Sequence, residues 1–149
     1  MRRTSHRILI SAMVVAASLV TAAPALAASP HYIKGPTATL TDNSLVVSWK
    51  AAGLGNETSA NFALTGTVNV TSQCYTRSGN PVNGVPKSET NNADATGTFP
   101  VRNGSVTGSL SVSPLSTLTC TGSQHVVVQS VSYDLYLNGD SLPEVHLTG

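Results

Sequence analysis

Apolar and polar residues alternate with a period of two along most of residues 44–147, and no segment longer than a few residues repeats its apolar positions at helical spacing. Side chains on a strand point to opposite faces in turn, so this period predicts strands that lay one face against a core. Ser44–Lys50 sets Leu45, Val47 and Trp49 on one face and Val46 and Ser48 on the other. The longest alternation, Ala60–Cys74, carries Phe62, Leu64, Gly66, Val68, Val70 and Cys74 on one parity, which directs Cys74 towards the core. A further strand runs from about Gln124 to Leu137, with Val127, Val131, Tyr133, Leu135 and Leu137 on one parity and Val126 and Val128 on the other. Its first half is apolar on both sides and is expected to be central in a sheet. Thr37–Leu40 and Leu142–Leu147 supply shorter strands, the second suited to an edge by Pro143.

Asn103-Gly104 is the preferred pair for a two-residue type I′ turn, since both positions need positive φ. Arg102 then stands opposite Ser105, and the same register within one sheet sets Val101 against Val106, Phe99 against Gly108, Gly97 against Leu110 and Ala95 against Val112. Large side chains fall opposite small ones, as dense packing requires. Six or seven antiparallel strands in one domain predict an all-β, two-sheet sandwich of immunoglobulin-like proportions. A small β-barrel is the alternative.

The chain begins with a different pattern. Arg2, Arg3 and Arg7 precede the uncharged apolar stretch Ile8–Val20, and Ala25-Leu26-Ala27 follows as a small-x-small site. This predicts a cleavable export signal over residues 1–27 and a single secreted domain over 28–149. The stretch is shorter than the about 20 apolar residues a bilayer span needs, so no membrane segment is expected after cleavage. Removing the signal changes the charge as well. Residues 28–149 hold five basic residues against seven acidic ones, a formal charge of −2, whereas the full chain carries +1. No cluster of Lys and Arg remains to grip a nucleic acid.

Export also bears on Cys74 and Cys120, the only cysteines. An even count in an oxidising compartment predicts a disulfide, and closing a loop of roughly 47 residues stabilises the fold by about 4 kcal/mol in the chain-entropy picture. No CxxC or Cys-His pattern points to a reactive thiol. If the strand ending at Cys74 runs up, the next descends to Asn103-Gly104 and its successor climbs again, so both cysteines reach one pole. The two longest irregular stretches, Tyr75–Pro86 and Pro114–Ser123, meet there. Loops on a rigid scaffold are where binding residues concentrate, and Tyr75, Arg77, Asn80, Asn83 and Lys87 form the candidate binding loop.

Catalytic signatures are missing from the sequence. His31, His125 and His146 lie far apart without metal-ligand spacing, and the carboxylates are equally scattered. Gly104–Gly108 departs from the nucleophile elbow GxSxG at its central position, Val106. Neither a metal nor another cofactor is expected. The sequons at Asn56, Asn69 and Asn103 are unremarkable in a chain so rich in Asn, Ser and Thr. The expectation is a non-enzymatic domain acting on an extracellular protein or a cell-wall component. A small secreted hydrolase and a protease-inhibitor-like loop are the alternatives.

Ser44-Leu45-Val46-Val47-Ser48-Trp49-Lys50-Ala51-Ala52-Gly53-Leu54-Gly55, followed by Cys74-Tyr75-Thr76-Arg77-Ser78-Gly79-Asn80-Pro81, resembles a group of small secreted actinobacterial proteins. They share a strand that enters a Lys-x-x-Gly-Leu-Gly turn and a later Cys followed by a Gly-Asn-Pro loop. The resemblance implies secretion and a single β domain with one cysteine pair. It implies no activity and carries over no functional residue.

Overall fold

The period-two pattern becomes seven antiparallel strands in a computed structural model that describes residues 29–149; the export signal expected at 1–27 lies outside the described residues. They are β1 (His31–Thr41), β2 (Ser44–Ala52), β3 (Ser59–Tyr75), β4 (Lys87–Pro100), β5 (Ser105–Val112), β6 (His125–Gly139) and β7 (Val145–Thr148). One sheet has the order β1-β2-β5 and the other β4-β3-β6-β7. The two sheets face each other as a sandwich and do not close into a barrel. Central to the larger sheet is β3, paired with β4 on one side and β6 on the other along almost its whole length.

Each inner face is the apolar parity of its strands. Leu45, Val47, Trp49, Val106, Leu110 and Val112 from the smaller sheet meet Phe62, Leu64, Val68, Val70, Leu135 and Leu137 from the larger one. Trp49 is the hub, with ring centroids 4.5 Å from Phe62 and 5.3 Å from Phe99. The Trp49–Phe99 and Phe62–Phe99 pairs lie edge to face, the arrangement favoured by the ring quadrupoles. Glycines make the room. A Cβ added at Gly108 would stand 2.7 Å from Trp49 Cζ2, and one at Gly139 would stand 2.5 Å from Phe62 Cε1. Trp49 Nε1 and Tyr32 Oη are buried without a hydrogen-bond partner among the described residues, and burial pushes the Tyr32 phenol pKa up.

One expectation is corrected. Asn103 and Gly104 adopt positive φ (51° and 69°), and Arg102 and Ser105 exchange both backbone hydrogen bonds, at 2.8 and 3.0 Å. There the hairpin ends. Beyond the turn β4 joins β3 and β5 joins β2, so the strands enter different sheets. The match of large with small residues is real but spans the sandwich: Phe99 Cδ1 lies 3.1 Å from a Cβ placed on Gly108, and Leu110 Cδ2 lies 3.2 Å from one on Gly97. Parting buries Phe99 and Leu110 between two layers, whereas a two-stranded ribbon is marginal by itself. Alternation with period two is identical in both arrangements.

The strand β6 does lie inside its sheet, between β3 and β7. Its apolar start is only half-buried, however, because β7 pairs with it from Asp134 to Leu137 alone and the register skips Gln129.

Replacing Gly108 by Ala should cost about 1–3 kcal/mol by forcing Trp49 or Phe99 off its rotamer. Thermal or denaturant unfolding of the variant measures this directly.

Candidate functional site

Beyond the end of β5 the gap between the sheets would stand open at one pole, and the connection 113–124 closes it. Leu115 inserts completely, with 0% of its surface exposed. A side chain so placed requires the flanking backbone to enter with it, and buried amides and carbonyls must find partners. They do. Asn43, in the β1–β2 turn, accepts from the Ser116 amide at 2.8 Å through Oδ1 and donates to the Ser116 carbonyl at 3.0 Å through Nδ2, while its own carbonyl accepts from the Leu115 amide at 2.9 Å. Asn91 on β4 donates to the Leu115 carbonyl.

Below this strap lies a hydroxyl and carboxylate network. Ser116 Oγ donates to Glu89 Oε2 at 2.9 Å and shares a 2.6 Å hydrogen bond with the buried Ser72 hydroxyl. The Thr117 amide donates to the same carboxylate at 3.1 Å and the Thr117 hydroxyl to its other oxygen. Lys87 completes it, with Nζ 3.1 Å from Glu89 Oε1 and 2.8 Å from Thr117 Oγ1. Hydrogen bonds from the Thr117 hydroxyl first, and then from Lys87, Ser116 and the Thr117 amide, outweigh desolvation and hold the Glu89 carboxyl at about 2, far below the ordinary 4.5.

The Cys74–Cys120 disulfide forms, with a Cα separation of 5.7 Å, and joins the end of β3 to the strap. The loop 76–86 is shaped by its own polar groups. The Thr76 amide donates to the Asn80 carbonyl at 2.9 Å, and Thr76 Oγ1 accepts from the Asn80 amide at 3.1 Å. The Val82 amide bonds back to the Cys74 carbonyl at 2.9 Å, and Gln73 Nε2 reaches the carbonyls of Val82 and Gly84 at 3.2 and 3.3 Å. Between loop and strap opens a pocket of about 170 Å³, lined by both cysteines, Gln73, Val82, Val85 and Leu118 among others. Val85 stands 94% exposed at its rim.

The five candidate loop residues separate here. Asn83 lines the pocket, and Arg77 and Asn80 are exposed in the tight turn before it. Tyr75 ends β3 half-buried, its hydroxyl accepting from Gln129 Nε2 at 3.2 Å. Lys87 belongs to the Glu89 network instead. Gln73, Val85 and Leu118 were not singled out by sequence reasoning; the apolar pair Val82 and Val85 inside a Gly/Asn/Pro loop was the available signal.

The histidines remain apart, on β1, at the start of β6 and on β7. His146 stacks on Tyr136 with centroids 4.5 Å apart and contacts Asp134 through Nε2 at 2.8 Å, all three on the outer face of the larger sheet. Among the described residues, no three His, Cys, Asp or Glu side chains converge as a metal site would need. No protein-family model, curated protein or solved structure matches this chain.

Because the folded Glu89 pKa of about 2 lies below its ordinary 4.5, this carboxylate stabilises the fold above pH 4.5, and that contribution is lost as pH falls towards 2. The Glu89→Gln variant should be less stable to unfolding than the parent at neutral pH, and the gap between them should shrink across that acid window. Denaturant midpoints measured at several pH values read the difference.

Proposed function

We propose that this chain is an exported, non-enzymatic β domain that binds an extracellular protein or a cell-wall component through its disulfide pole. The observation that carries the reading is the pocket of about 170 Å³ between the two loops that the disulfide ties together. Its lining consists of aliphatic carbons, amides, hydroxyls and the disulfide itself, with no imidazole or carboxylate among the lining residues. Such a set offers contact area and hydrogen bonds rather than proton transfer. Irregular backbone held on a rigid scaffold is the usual setting for recognition. The loop here is pinned to Cys74, to Gln73 and to its own Thr76, so little ordering entropy opposes association.

The disulfide is also consistent with an oxidising compartment. The sequence pattern of residues 1–27 and the resemblance to small secreted actinobacterial proteins support the same placement. Val85, exposed on a loop held at both ends, favours a second reading as well, in which the loop is presented to a protease.

Immobilised protein incubated with cell-wall fractions and culture-medium proteins should retain a component that Val85→Asp releases, with stability unchanged because Val85 touches almost nothing. Retention unaffected by Val85→Asp and by Asn83→Ala would remove the pole from consideration. Inhibition of a secreted protease in the same fractions, lost in Val85→Asp, would select the second reading.

A further inference from the structure

The two flanks of the sandwich are finished differently. On one flank, β1 carries Lys34, Gly35 and Pro36 where its register breaks, β7 is four residues long, and β6 above it is interrupted at Gln129. Lysine, proline, bulges and short strands are the devices that prevent an edge from recruiting another strand. On the other flank they are confined to the ends of β4, at Lys87 and Pro100, with the inward-pointing Glu89 next to the first. There β4 pairs with β3 without a break over fourteen residues, and β5 pairs with β2 without a break over eight. From Ser88 to Phe99, and throughout β5, the sequence has no Lys, Arg or Pro.

In an antiparallel strand about half of the backbone N–H and C=O groups point away from a single neighbour. On β4 from Ser88 to Phe99, and on β5 from Val106 onward, the groups turned outward have no hydrogen-bond partner among the described residues. They form two open edges side by side. The Asn103-Gly104 turn holds one over the other, as the approach of Phe99 to Gly108 and of Leu110 to Gly97 records.

We infer that this flank pairs with the same flank of a second copy, β4 against β4 and β5 against β5, about a two-fold axis perpendicular to both sheets. Self-pairing is what a two-fold rotation does to an antiparallel edge. One axis serves both edges because they are stacked, whereas a single foreign strand would satisfy one edge and leave the other open. Charge does not oppose the contact. The β5 strand has no charged residue, Glu89 is engaged at the pole, and Asp94 is the one other charge on β4 between Ser88 and Phe99. Inner faces stay continuous when residues of equal parity oppose each other, and every such register except the one centred on Asp94 separates the two Asp94 carboxylates.

Sedimentation velocity over a concentration series, combined with amide hydrogen exchange, tests the assignment. The expected result is a particle of about twice the chain mass in which β4 and β5 amides exchange more slowly as concentration rises. The exposed double substitution Asn92→Lys/Thr96→Lys should yield a single-chain particle whose thermal midpoint equals that of the parent diluted to its single-chain state, and Ser109→Lys on β5 serves if that variant does not fold. Thr39→Lys on β1 should leave the pair intact. A single-chain particle at every concentration overturns the inference, as does a pair that the β4 and β5 variants leave whole or that Thr39→Lys disrupts. Protection of β4 alone, appearing only when a strand-forming peptide is added, assigns the edge to a foreign strand and equally overturns it.

Discussion

The pole of this sandwich depends on one carboxylate. Glu89 points inward from an edge strand, where an unpaired charge would be costly, and four donors from two residues of the strap and from Lys87 meet it. Their alignment fixes Ser116 and Thr117, and thereby lowers Leu115 between the sheets. From this anchored segment the strap continues to Cys120, which the disulfide joins to Cys74 near the end of β3. The pocket is therefore a product of polar geometry as much as of the covalent link.

This explains which parts of the fold were legible in the sequence. Strand period, the Asn103-Gly104 turn and the meeting of both cysteines at one pole follow from local rules, because each depends on residues a few positions apart or on the counting of strand directions. The sheet assignment of β4 and β5 does not. Alternation records that Phe99, Val106 and Leu110 face inward but not whether their partners lie beside them or across the core. That choice rests on β2 and β3, which pair with β5 and β4 respectively, the first of them across a long stretch of sequence.

The candidate site shows the same division. Arg77, Asn80 and Asn83 were legible because turn-forming residues mark a loop. The placement of Lys87 was not, since a lysine after Pro86 reads as solvated until Glu89 and Thr117 are seen on either side of it. Gln73 was hidden for another reason. It sits on the outward parity of β3, where a polar residue needs no explanation, and its reach to Val82 and Gly84 exists only after the loop has folded back.

The two-residue turn between β4 and β5 has a kinetic side. Had those strands remained a hairpin, their backbone ladder would have run on from Arg102 and Ser105 between near neighbours in the chain. Instead β5 pairs with β2, Leu45 meeting Val112 and Ala52 meeting Ser105, so the smaller sheet cannot be completed until the segment between them has found its own place. Pairings this remote in sequence raise contact order, and with it the time a chain spends searching. A chain built in this way stays unfolded longer, because the β2–β5 and β3–β6 ladders both join segments far apart in sequence.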